Sequence, residues 1–179
     1  MNSYKPLILF LLRFFGSYIL MIVLYNAYLN FYFDQGLADP FTKFNSDTSA
    51  WLFNLIGIPA ESLHAGKDHF MRLALEGKFT SVVNEGCNAV SVMIIFIAFI
   101  LAFYTTFKQT FLYILVSLAL LIVMNILRII LLTYIYKYMA EYAKIGHDYL
   151  FPSIIYGSVL ILWIIWIKGF VLKKKKNAK

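Results

Sequence analysis

The stretch TFLYILVSLALLIVMNILRIILLTYIY, residues 110–136, holds one charged side chain, Arg128, in an otherwise uncharged and mostly apolar run. At 1.5 Å per residue a helix of this length more than covers the roughly 30 Å hydrocarbon layer, which needs about 20 residues. Three further apolar stretches have comparable character, at residues 7–33, 88–104 and 149–172. The composition agrees: 61% of the 179 residues are hydrophobic, 18% aromatic and only 14% charged. A soluble domain of this size could not hide so much apolar surface from water. The expectation is an all-α integral membrane protein, a four-transmembrane-helix bundle forming a single domain over residues 1–179. The run at 7–33 is too long for a signal peptide and lacks a small-residue cleavage site, so it is expected to be a retained anchor.

Basic residues favour the cytoplasmic side of a bilayer. With four crossings, Lys5, Lys108 and the tail 173–179, with its four consecutive lysines, fall on one side. All nine acidic residues fall on the other. Both termini are therefore expected in the cytoplasm. A lysine tail near anionic lipid accounts for most of the net charge of +7, so nucleic-acid binding is not needed.

The outer segment, 34–87, is the only sizeable part expected outside the bilayer. Asp47-Thr48-Ser49 is expected to cap a short helix with an apolar stripe of Trp51, Leu52, Leu55 and Ile56 before Pro59, lying in the interface. Further on, FMRLALEGKFTSVV alternates around Glu76-Gly77 and predicts a small β-hairpin leading into Asn84-Glu85-Gly86-Cys87.

Cys87 is the only cysteine, which excludes an intramolecular disulfide framework and a Cys-rich metal site. No phosphate-binding glycine loop, HExxH or EF-hand pattern is present, and His64 and His69, five apart, do not share a helical face. Neither a metal nor a cofactor is expected.

Three polar residues come to similar depth on one side. Cys87 lies at the outer end of the second span. Arg128 lies inside the third, eight residues or about 12 Å from Tyr136. His147 lies at the outer mouth of the fourth. Each has a plainer reading: an inert small residue, an intramembrane clamp with Asn125 one turn away, and an interfacial histidine. Together they fit thiol chemistry. A free thiol is mostly protonated at neutral pH, and a neighbouring imidazolium, guanidinium or helix start favours the thiolate. Cys87 would attack a peptide carbonyl, His147 would act as general acid and base, and Arg128 would donate to the oxyanion or hold the substrate.

These residues carry a resemblance. Glu85-Gly86-Cys87 before a span, Asn125-Ile126-Leu127-Arg128 within the next, and His147-Asp148 opening the last resemble the exosortase/archaeosortase family of membrane cysteine transpeptidases, most closely a short bacterial F-type exosortase. The resemblance covers residues 80–170. It implies a catalytic Cys87, Arg128 and His147, with Glu85 and Asn125 in support, and a site facing outward from the bacterial cytoplasmic membrane. It also implies exported substrate proteins that end in a short motif, a transmembrane helix and a basic tail. Larger members have about eight spans, and the family often has Ser-Gly after the cysteine where this chain has Asn88-Ala89. Two other classes stay open on the residues alone: a small transporter or channel lined by Arg128, and a non-enzymatic assembly subunit clamped through it.

Overall fold

The computed structural model describes residues 4–66 and 68–177. Three helices are long and apolar enough to cross a membrane: α1 (Lys5–Phe33), α4 (Phe107–Tyr138) and a C-terminal helical run, Ala140–Lys174. That run contains widened π-helical turns at Gly146–Leu150 and Ile167–Val171. The expected span at 88–104 contains a shorter helix, α3 (Val90–Ala102), of 13 residues or about 20 Å. Its start is delayed because Asn88 Oδ1 takes the Val90 N–H and Ala89 is left-handed, at φ 61°. Its end comes at Phe103, and Thr106 then caps α4 by accepting from Gln109 N. The basic tail is described as far as residue 177.

Aromatic and polar contacts fix which ends lie together. Phe10 meets Phe103 with ring centroids 4.7 Å apart, and Lys174 Nζ donates to the Thr105 carbonyl at 2.8 Å. The start of α1, the α3–α4 connection and the lysine tail thus share one end of the bundle. Tyr25 meets Asn88 at the other end, where the sheet and Cys87 lie. The bundle core between them is built from Met93, Phe96, Ile100, Leu121, Val159, Leu162 and Trp166.

The helix expected to be capped at Asp47 instead begins earlier, as α2 (Pro40–Leu55). Asp39 is extended and accepts from Phe41 N and Thr42 N, and Pro40 follows, a stronger start than Asp47-Thr48-Ser49. Asp47 sits inside the helix, paired with Lys43. The two faces of α2 are inverted relative to a water-soluble helix. Thr42, Asn45, Ser46 and Ser49 are buried, whereas Phe44, Trp51 and Leu55 are exposed. The outward apolar stripe is present, while the inner face packs on α4 and the sheet.

The chain is mostly helical rather than all-α. The hairpin falls where the alternation placed it, with β2 (Met71–Leu75) and β3 (Lys78–Val83) joined through Glu76 and Gly77. Both turn residues have positive φ, 53° and 72°, as a two-residue turn matched to strand twist requires. A third strand, β1 (Ala60–His64), completes an antiparallel sheet of order β1-β2-β3. Ala50, Phe53, Met71, Leu73, Leu75, Val83 and Ile129 form a second core beneath it.

One face of α4 carries this sheet. At four-residue intervals Lys137 Nζ donates to the Leu75 carbonyl (2.9 Å), Thr133 Oγ1 meets Ser81 Oγ (2.8 Å), Ile129 shares a core with Val83, and Asn125 Nδ2 donates to the Cys87 carbonyl (2.9 Å). Residues four apart lie on one helical face, so β3 descends antiparallel to α4 until it delivers Cys87. On the same helix Lys108 and Arg128 are 20 residues apart, about 30 Å, which equals the hydrocarbon thickness.

Candidate active site

Cys87 closes a 3-10 turn, Glu85–Cys87, in which its N–H donates to the Asn84 carbonyl at 2.9 Å. Its own carbonyl is held by Asn125. The next residue, Asn88, is fully buried and donates to Tyr25 Oη and Thr42 Oγ1, both at 3.1 Å, while accepting from Val90 N. The backbone on either side of the thiol is therefore fastened to α1, α2 and α4. Positive φ at a non-glycine residue costs roughly 1–2 kcal/mol, so Ala89 occupies a place that favours glycine.

Asn125 organises the ground beneath the cysteine. It is fully buried and donates to both Cys87 O and Asn45 Oδ1, the latter at 3.1 Å. Asn45 in turn donates to the Phe41 carbonyl at 2.8 Å. Arg128 Nη1 approaches Asn125 Oδ1 at 3.5 Å. Among the described residues no carboxylate pairs with Arg128, and its Nε is buried without a hydrogen-bond partner. A guanidinium so placed has donors left for an incoming oxygen.

His147 lies in the π turn at Gly146–Leu150. Gly146 allows this turn to close: a Cβ there would sit 3.2 Å from Phe151 Cε2 and 3.7 Å from Ile135 of α4. Asp148 Oδ1 bonds His147 Nδ1 at 2.9 Å, which leaves Nε2 for other partners; both side chains are about half exposed.

Cys87, Arg128 and His147 line one cleft of about 390 Å³, together with β3 and the α4 face that carries Ile129, Leu132, Thr133 and Tyr136. That volume lies within the range of ligand clefts. Three residues distant in sequence thus line one concavity. Glu85 does not line it. It lies with Pro152 and Tyr156 on a smaller depression of about 170 Å³, and Arg128 borders both. Asn125 lies behind the cleft and supports it through the Cys87 carbonyl. Asn45, Tyr136 and Asp148 were not singled out as site residues in the sequence; the adjacency of Asp148 to His147 was the available signal.

The cleft combines a thiol, an imidazole with a carboxylate on its far nitrogen, and a cation with an unpartnered donor. Such a set can serve nucleophilic acyl transfer. His64 and His69 do other work: His64 Nε2 accepts from Ala38 N, and His69 stacks on Phe33 at 4.5 Å. Among the described residues no three His, Cys, Asp or Glu side chains gather to hold a metal ion.

A family model described as transmembrane exosortase matches residues 7–167, nearly the whole chain. No curated protein and no solved structure matches it.

Proposed function

The chain belongs to the transmembrane exosortase family, and on that premise we propose that it is a membrane-embedded cysteine protease/transpeptidase acting on the C-terminal sorting signals of exported proteins. The single observation that supports this most is the shared cleft of Cys87, Arg128 and His147.

In this reading the Cys87 thiolate adds to the scissile carbonyl. An Arg128 N–H donates to the developing oxyanion. The C–N bond then breaks, and His147 protonates the leaving amine, whose C-terminal fragment departs. The remaining thioester is attacked by water or by an amine or other acceptor. His147 takes the proton from that second nucleophile, and Cys87 leaves as the thiolate. Asp148 keeps the His147 ring oriented throughout by holding Nδ1.

In the same reading the protein lies in the bacterial cytoplasmic membrane with both termini in the cytoplasm and the cleft outside. That orientation needs a fourth crossing, which falls to the segment 88–104 as a whole and not to the short α3 alone, and the lysine tail and Lys108 lie at the inner surface. Lys108 at the inner hydrocarbon boundary sets Arg128 at the outer one, which relieves the cost of a charge at the bilayer centre. Substrates present a short motif at the cleft and leave their own helix beside the bundle.

The test is Cys87→Ala in the native host. Exported proteins with a motif, an apolar helix and a basic end should keep their C-termini and accumulate in the membrane. Normal processing of all such proteins in those cells would rule the proposal out.

A further inference from the structure

The cleft has a shape that says how a peptide enters it. β3 is an edge strand, because the sheet order β1-β2-β3 leaves it a partner on one side only. Five consecutive residues of β3, Phe79 to Val83, all line the cleft. Consecutive strand side chains point to opposite faces, as Ser81, Val82 and Val83 do beyond the bulge at Thr80, so a cleft that touches all five runs along the backbone edge. Among the described residues the main chain of β3 makes no hydrogen bond beyond its ladder with β2, except that Thr80 Oγ1 donates to the Lys78 carbonyl. A bare edge of this kind is normally blunted by proline, a bulge or inward charge, since it templates pairing with another chain. β3 carries one such device, a bulge at Thr80 where its register with β2 shifts, but KFTSVV has no proline, and its one charge, Lys78, stands at the end away from Cys87.

From this edge we propose that the substrate segment before the scissile bond binds as a fourth strand, parallel to β3, and is thereby led to Cys87. The inference rests on the proteolytic reading and adds its mode of recognition. β3 runs into Asn84 and the Cys87 turn, so a strand laid on its edge ends beside the thiol. The direction follows from the descent of β3 along α4: an exported chain also runs from outside toward its own C-terminal helix in the membrane. Main-chain hydrogen bonds then supply affinity without regard to sequence, and alternate side chains meet the α4 face at Leu132 and Tyr136.

The experiment uses the full-length protein in detergent. Its substrates are synthetic peptides spanning the cleavage site of an exported protein whose C-terminus is retained in Cys87→Ala cells. One main-chain amide at a time is N-methylated upstream of the scissile bond. A pairing strand uses every second N–H, so kcat/KM should fall about threefold to tenfold at alternate positions and change little at those between. Cleavage of the unmethylated peptide with losses that are uniform, absent or without alternation overturns the strand proposal alone. No Cys87-dependent cleavage of the unmethylated peptide overturns it together with the proteolytic reading. Photo-crosslinkers placed at Phe79 and Val82 report direction. The Phe79 site should capture residues N-terminal to those captured from Val82, and the reverse order overturns the parallel arrangement.

Discussion

The side-chain amide of Asn125 donates a 2.9 Å hydrogen bond to the main-chain carbonyl of Cys87, tying the middle of α4 to the turn that presents the thiol. The same buried amide satisfies Asn45 Oδ1 and offers its oxygen to Arg128. Replacing Asn125 by leucine leaves both acceptors unpaired. Each buried group so stranded costs about 1–3 kcal/mol, so the unfolding midpoint of Asn125→Leu in detergent should drop clearly. Cleavage should fall with it, because the Cys87 carbonyl loses its anchor. An unchanged midpoint would contradict this role.

Arg128 combines a buried, unpartnered Nε with an Nη1 only loosely held by Asn125. Arg128→Lys keeps the charge and loses the fork of donors. We expect the cleavage rate to fall about 100-fold or more, the scale of losing one oxyanion donor, with substrate still bound. Co-purification of uncleaved substrate with Arg128→Lys checks the second half of that statement.

His147 and Asp148 should differ in how much they matter. His147→Ala removes the proton carrier and should slow turnover by about 10²–10⁴. Asp148→Asn only weakens the hold on Nδ1 at a half-exposed pair, for which about tenfold is expected. Single-turnover assays comparing the two variants decide the order, and equal losses would mean that Asp148 does more than orient the ring.

At Ala89, φ is 61° and the side chain is nearly buried. Glycine relieves the left-handed strain but loses more chain entropy on folding, so Ala89→Gly should stabilise by about 1 kcal/mol or less. Ala89→Val carries a β-branch into the same backbone and should destabilise strongly. Thermal unfolding of the two variants gives opposite shifts if the turn is as described.

What could be read in the sequence was whatever length and hydrophobic content decide. The stretches containing α1, α4 and the C-terminal helix announced themselves, and a lone arginine in a mostly apolar run of 27 residues marked itself as costly. Cys87 and His147 could be added because topology brings helix ends together. The seam beneath them was not legible. Thr42, Asn45, Ser46 and Ser49 recur at helical spacing and look like a solvated face, yet they are buried against α4 and the sheet, and Asn45 bonds Asn125. Only the apolar outward face of α2, set by its surroundings, reverses that reading. β1 escaped for another reason: AESLH does not alternate in polarity, and its place is fixed by pairing with β2 and by Asn54, which bonds the Ala60 backbone on both sides.

The 20 residues between Lys108 and Arg128 have a consequence for which bond is cut. On the proposed topology α4 is a ruler standing on the inner surface, and the chemistry is done at one mark near its top. A substrate anchored by its own helix offers the enzyme whichever bond hangs at that height. Lengthening the tether between a good motif and its anchor by a few residues should therefore spoil cleavage while leaving the motif untouched. Trimming it back should restore the cut. Selection by altitude lets a chain with a sparse, sequence-tolerant edge remain choosy about where it acts.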